Sequence, residues 1–425
     1  PVGSYGVSLG AGKHTLYEIN GAGMLFKSNF QMLASLKAGN INKFALTDGT
    51  NHFDNKETLS TLSNLLENIS ATTPPIEVDR YASPTDRLLS FNILRKIRKD
   101  VTLKGNIGYS YAKSQYDYNL TRSYADADNN VIIAQEYSPL STIHRPSIQL
   151  EYKDNSEKTY LSNTLSSTGS FLTSELPTKE NGSLFNQKQT MREFYVNNKF
   201  STLWHHKDLC WAVTSIMSYQ GSPMGKITLN KETTDNVVQN ANGRSFRTEN
   251  TLSMSKKHLY SRIYLPILLN YYMDKVQTSL HPTDESNDVN MQNLRMALVP
   301  QYEYSHPQYK YVFRLEIPMR IDYIIHKDNL ESASSDSWYY SVCPSVYCNY
   351  KVTSRSVLRT NIFYARTFGD ILDFLKTPVR FNDTSLKVGS GILADNKSLN
   401  ASLHYDYKIP LKMWFFNADF LYNQE

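Results

Sequence analysis

Five ionisable residues recur on one parity of a short stretch: Lys310, Arg314, Glu316, Arg320 and Asp322. Side chains two or four apart in an extended chain leave by the same face, so this stretch presents a wet face of mixed charge. Two kinds of chemistry suit it. The groups can pair with one another as a water-contacting inner wall, or they can dock a removable domain and line a solute path through polar contacts that break and re-form. A second set, Tyr116, Tyr118, Arg122 and Tyr124, crowds one loop tip with phenols and a guanidinium. Such groups hold a solute by stacking and hydrogen bonding, and they serve loop packing equally well.

Motifs for covalent or metal chemistry are missing. Val388-Gly389-Ser390-Gly391 falls short of a nucleophile elbow, and no phosphate loop, dinucleotide-binding glycine pattern or His-Glu-x-x-His occurs. His205 and His206 are neighbours and point apart if extended. Asp126-Ala127-Asp128-Asn129-Asn130 resembles the opening of a calcium loop, but Val131 replaces the turn glycine and Tyr137 the closing glutamate. The three cysteines form no Cys-x-x-Cys, and Cys343 and Cys348 face opposite ways within one predicted strand. The sequence therefore predicts no enzyme, no cofactor and no bound metal. A net charge of +5, with acids interspersed among 45 basic residues, supplies no basic stripe for nucleic acid.

The element that must carry the charged face is a strand. Tyr309, Tyr311, Phe313, Leu315, Ile317, Met319, Ile321, Tyr323 and Ile325 occupy the alternate positions, a period of two sustained over 17 residues. Strands of soluble domains run about 5–6 residues, whereas a tilted bilayer-crossing strand needs about 9–11. No run approaches the ~18 apolar residues of a transmembrane helix. The fold class expected is all-β, an antiparallel transmembrane β-barrel wall of about 17 strands. Comparable strands include Leu103–Tyr111, Phe194–Trp204, Leu209–Tyr219, Leu259–Met273 and Met413–Tyr422.

Two kinds of connection alternate. Short polar turns fall near Lys27–Ser28, Arg98–Asp100, Lys153–Lys158, His205–Asp208, Ser255–His258, Ser305–Gln308, Lys351–Ser354 and Lys408–Lys412. Long polar loops are expected at roughly 40–84, 115–130, 171–189, 221–243, 275–290, 326–337 and 368–397. Short periplasmic turns and long outer loops are the signature of a transmembrane barrel. Tyr152, Tyr160, Trp204, Trp211, Tyr304, Tyr309, Tyr350, Tyr407 and Trp414 crowd the short turns as an aromatic girdle would. Asp54-x-x-Glu57 with Leu59, Leu62, Leu65, Leu66 and Ile69 predicts a short amphipathic helix ended by Pro74–Pro75. Pro266, Pro300, Pro318 and Pro344 interrupt strands, which predicts bulges that bend the wall.

Two stretches resemble the barrel of TonB-dependent outer-membrane receptors of the Bacteroidetes type. One runs from Pro74-Pro75 through Arg80-Tyr81 and Leu89–Asp100 to Leu103–Tyr109. The other comprises Tyr340–Val346, Tyr350-Lys351-Val352, Ile371–Phe374, Leu399, Tyr405 and Tyr407. The resemblance implies a barrel of about 22 strands around an N-terminal plug, importing a scarce, bulky nutrient with energy delivered by TonB. On that pattern, residues 1–425 are a single incomplete barrel domain, the plug is expected upstream of Pro1, and about five strands are expected after Glu425. The chain opens without an initiator methionine or leader, as a piece of a longer protein would. The expected location is the outer membrane of a Gram-negative cell. The expected partners are outer-membrane lipid, the TonB system through the plug, an unidentified solute and a surface lipoprotein. A passive porin, an outer-membrane barrel hydrolase using residues such as Ser341 or His404, and a soluble all-β binding protein are the alternatives.

Overall fold

The computed structural model describes residues 1–12, 15–41, 66, 75–77, 81–125, 130–157, 159–231, 234–308, 310–380 and 385–424. The chain begins with β1 (Val2–Ala11), β2 (Thr15–Lys27), β3 (Phe30–Gly39), β4 (Ser83–Arg98), β5 (Val101–Gln115), β6 (Tyr118–Ala125), β7 (Asn130–Tyr137) and β8 (Leu140–Asn155). The longest strands follow: β9 (Thr159–Glu180), β10 (Ser183–His206), β11 (Leu209–Lys231), β12 (Thr234–His258) and β13 (Ser261–His281). Next come β14 (Glu285–Leu298), β15 (Gln301–Ser305), β16 (Tyr311–Glu316), β17 (Met319–Asp328), β18 (Ala333–Val342), β19 (Ser345–Lys351) and β20 (Ser356–Phe368). A two-residue pair, β21 (Val379–Arg380) and β22 (Leu386–Lys387), precedes β23 (Asp395–Ile409) and β24 (Trp414–Gln424).

All except β21 and β22 join one sheet of 22 segments, and every pairing in it is antiparallel. Five passes are each split into two segments. Joining β5 to β6, β7 to β8, β14 to β15, β16 to β17 and β18 to β19 leaves seventeen passes, each paired with its neighbours in sequence. This is the number read from the periodicity.

Four of those splits contain a proline (Pro139, Pro300, Pro318 and Pro344), and the last three align with Pro266 in β13. Val299 N donates to Pro266 O, Ile317 N to Pro300 O, Cys343 N to Pro318 O and Tyr364 N to Pro344 O, at 2.9–3.0 Å. Pro266, Pro300, Pro318 and Pro344 thus form one diagonal row across adjacent strands. Proline has no N–H to give the ladder, and the row of local breaks lets each proline carbonyl keep a donor. The register is the same on both sides of each break, so no residue is inserted: the bulges expected at these prolines are absent, and aligned interruptions of the ladder stand in their place.

The two faces of the wall differ by parity. At the level of the short-turn half, Ile107, Ile148, Met217, Ile267, Met296, Met319 and Ile321 point outward and are exposed, whereas Asn106, Gln149, Asn197, Gln220, Ser245, Asn293 and Asp322 point inward and are buried. Exposed aliphatic and buried amide side chains reverse the distribution of a water-soluble protein. A wall with lipid outside and polar groups inside has this pattern. Aromatic pairs bound the band. Tyr304 stacks on Tyr311 at 5.6 Å near the short turns, and Tyr323 stacks on Trp338 at 4.5 Å on the far side. The twelve residue steps from Tyr311 to Tyr323 rise about 30 Å at a tilt near 40°, the thickness of a hydrocarbon core.

Beyond that band the strands continue. The stretches expected as loops at 171–189, 221–243, 275–290 and 326–337 are strands almost to their tips. Asn181 and Gly182, both at positive φ, make the tight turn between β9 and β10. Likewise 115–130 is mostly β6 and the start of β7. Polar composition there reports contact with water, and the ladder persists because it satisfies the backbone in water as well as in lipid. The helix expected at 54–69 lies outside the described residues except for Leu66, and the calcium-like loop lies outside them except for Asn130.

Candidate functional site

In this upper half the polarity of the two faces inverts. Leu172, Leu176, Met191, Ile227, Val276, Val289, Met291 and Ile324 now face inward and are buried. Charged groups face outward, among them the pairs Lys179–Glu136 and Lys188–Glu175. In β11 the inward parity itself also changes, and that change has a local cause. An extra residue between Ser222 and Gly225 is unmatched by either neighbour. The bulge sends Met217 and Tyr219 outward but Ile227 and Leu229 inward, though all four share one sequence parity.

A strap from the β20–β23 connection fills this apolar cradle. Residues Ile371–Phe374 form one 3-10 turn, capped where Leu372 N donates to Asp370 Oδ1 at 2.8 Å. Ile371, Leu372, Phe374, Leu375 and Val379 are buried against the inner wall, as is Leu66 from the long connection after β3. Phe374 stacks flat on His326 at 3.8 Å. Thr377 pairs reciprocally with Asn287: its N–H donates to Oδ1 at 3.1 Å, and its carbonyl accepts from Nδ2 at 3.2 Å. Arg380 N donates to Gln239 Oε1 at 3.0 Å. Lys376 bonds Glu331 and lies 3.5 Å from Asp328. The hydrogen bond with Glu331 holds the Lys376 ammonium above the usual lysine range, against a smaller opposing effect of burial. Gly369 and Gly389 permit this fold: a Cβ on Gly389 would stand 2.4 Å from the carbonyl oxygen of Asp373.

Below the strap lies the inner-wall charge network. Asp322 is fully buried and accepts from Arg295 Nε at 2.6 Å. Arg320 Nε lies 2.7 Å from its other carboxylate oxygen, an ion pair off hydrogen-bond alignment. Arg314 bonds Glu303 on β15 at 2.8 Å, Glu316 lines a groove, and Lys310 is exposed beside the short turn. All five share the sequence parity of the buried Asp322, and Lys310 and Arg314 are exposed. They do not form the single cluster that close spacing suggested. Same-face residues in a strand stand about 7 Å apart, so their partners come from neighbouring strands, and only Arg320 and Asp322 meet each other.

Between β18 and β20 the wall has a seam. β19 pairs with β20 as far as Ser345 opposite Phe363. Above that point, among the described residues, β18 pairs only with β17 and the top of β20 only with β23. Two arginines cross the gap. Arg366 Nη1 donates to Tyr340 O at 2.9 Å, and Arg320 Nη2 donates to Arg366 O at 2.8 Å. Side-chain donors thus serve backbone carbonyls where the ladder is missing. Arg366 also forks onto Asp395 with two bonds of 2.7 Å. Tyr339 and Phe368 pack beneath at 4.6 Å. A groove of about 510 Å³ opens at the foot of the seam, lined by Glu316, Pro318, Arg320, Phe363 and Arg366 among others.

The loop-tip set is dispersed. Tyr116 packs edge-on to Tyr81 at 5.0 Å and against the apolar cradle. Burial, then Tyr81, pushes its phenol above the usual tyrosine range. Tyr118 stacks on Tyr137 at 6.5 Å, Arg122 is exposed, and the Tyr124 side chain lies outside the described residues. Ser341 faces Arg320 across the β17–β18 pair. His404 sits lower on β23, bonded to Asp406 at 3.0 Å and to Asp419. The two do not converge as a nucleophile and base must.

No family model matches the chain, and no curated protein matches its sequence. Solved structures similar to it include siderophore receptors, a peptide transporter and the transport unit of an autotransporter. The siderophore receptor PiuA from Acinetobacter baumannii is 8% identical over 96% of this chain and 75% of its own, with a TM-score of 0.37. The closed form of the ferric-catecholate import receptor Fiu from E. coli K12 is 8% identical over 98% and 80%, with a TM-score of 0.39. The RagAB peptide transporter is 9% identical over 96% and 67%, with a TM-score of 0.37. At these scores the likeness is too coarse to assign a family.

Proposed function

We propose that this chain forms most of the wall of a TonB-dependent receptor in a Gram-negative outer membrane, importing a bulky solute through a lumen gated by a plug. The observation that carries this reading is the inverted distribution of side chains: aliphatic groups exposed outward and amides and carboxylates buried inward across one 30 Å-scale band. Lipid contacts the outer face. The inner charge network, with Asp322 at its centre, is the surface on which a plug docks through breakable polar contacts. The plug, supplied elsewhere in the parent protein, engages TonB, and a surface lipoprotein sits over the extended upper strands. Transport needs no covalent step. A passive porin fits less well, because the upper lumen is packed with Phe374, Leu375 and Val379.

The test uses the complete parent protein in living cells, offered ferric siderophores, oligopeptides, oligosaccharides and cobalamin. Uptake of one of these that stops when TonB is removed supports the reading. Uptake that persists without TonB identifies a passive channel instead.

A further inference from the structure

We infer that the strap 369–380 is a resident gate over the lumen, which leaves its apolar seat as one piece and must do so before a bulky solute can pass. The inference rests on the barrel reading above and concerns how the same lumen is regulated. Three observations converge on it.

First, the strap is a folded unit. Its 3-10 turn is capped from within by Asp370, and Gly369 N and Gly391 N bond Ala394 O and Asp373 O at 2.8 Å. The turn carries these bonds with it when it moves, and the Thr377 and Arg380 backbone groups that the wall satisfies pass to water. Second, it is held to the wall by side-chain contacts and not by a ladder. Its polar attachments include the Asn287 amide on the Thr377 backbone, the Thr377 hydroxyl donating to Ser286 O at 3.1 Å, Gln239 on Arg380 N, and Lys376 with Glu331 and Asp328. Each is of the kind that water replaces at small net cost. Third, its stem is untied on one side. The top of β20 lacks a ladder to β18, and the Arg366 and Arg320 bonds stand in for it. A hinge along this seam requires no backbone pairing between these two strands to break.

The experiment places the full-length parent protein in lipid vesicles, with Cys210, Cys343 and Cys348 replaced by serine. A single reporter cysteine is introduced as Val289→Cys, beneath the strap, and labelled with a water-soluble maleimide. Labelling should be slow but measurable. Lys376→Ala or Thr377→Val should each accelerate it by roughly two- to tenfold, the scale of one net hydrogen bond. A reporter at Ser166→Cys, on the inner wall at membrane level, should not accelerate. Unchanged labelling of Val289→Cys in both latch variants overturns the inference. So does equal acceleration at Ser166→Cys, which marks wholesale unfolding. A third reporter at Ile107→Cys separates the two claims: rapid labelling there in intact vesicles contradicts the barrel itself, whatever the strap does.

Discussion

Asn106 donates to Gln149 across the β5–β8 pair at 2.9 Å, and both are almost wholly buried, at 1% and 5% exposure. One residue along each strand, Ile107 and Ile148 also stand opposite each other, and they are 56% and 43% exposed. Two registered pairs, one amide and one aliphatic, therefore face opposite surroundings. In water this arrangement is costly twice over; between a lipid exterior and a polar interior it is favoured on both faces.

Charge placed on the outer aliphatic face should destabilise by depth. Ile107→Arg is expected to cost about 2–4 kcal/mol, and Trp338→Arg, at the boundary, about 0–1 kcal/mol. Denaturant unfolding of the full-length protein in vesicles measures both. Equal costs would argue against a bilayer midplane near Ile107.

Asp322, fully buried between Arg295 and Arg320, tests the inner network. Asp322→Asn leaves two guanidiniums without their carboxylate and should cost about 3–5 kcal/mol. Replacing all three, with Arg295→Met, Arg320→Met and Asp322→Leu, should recover most of that loss, because a packed apolar patch avoids the desolvation of charge. Thermal unfolding in detergent distinguishes the two variants.

The strap depends on Gly389. Gly389→Ala forces a methyl against the Asp373 and Leu372 carbonyls and should cost about 1–3 kcal/mol locally. Gly6→Ala, with nothing within 4 Å, should cost little. Hydrogen exchange at Leu375 and Thr377 should quicken in the first variant and not in the second.

Alkaline pH should loosen the region around Tyr116. Its raised phenol pKa means the unfolded chain loses this proton first. The contribution is therefore intact below the ordinary value of 10.0 and is lost as pH rises through the higher folded value. The phenolate absorbance difference between the native protein and Tyr116→Phe should have its midpoint above 10.0. A midpoint at or below that value would place Tyr116 in water.

Much of the wall is legible in the residues themselves. The alternation from Tyr309 to Ile325 discloses both faces of the β16–β17 pass, and the short turns fall at or beside the polar clusters, the one expected at Ser255–His258 lying instead at Leu259–Tyr260. The β11 part of the cradle is hidden for a physical reason. Met217 and Ile227 share a parity, and only the bulge at Ser222–Gly225 turns them to opposite faces. A run of apolar residues that keeps its parity across a Gly-Ser-Pro segment is the signal that could have revealed it. The strap is masked by composition: Gly369, Asp370 and Asp373 mark a loop, and Ile371, Leu372, Phe374 and Leu375 among them resemble one helical turn with no partner in sequence. The seam is invisible without register, because nothing local tells Arg366 that Tyr340 O lacks a ladder donor.

The most direct measurement places nitroxide labels singly at Ile107, Ile148, Ile267 and Met296 in the full-length protein within lipid vesicles, and compares relaxation by oxygen with relaxation by a water-soluble nickel chelate. All four positions should show high oxygen and low nickel accessibility, as side chains bathed in acyl chains do. Low accessibility to both reagents would mean a dry protein interior, and high nickel accessibility would mean water; either contradicts a membrane-spanning wall.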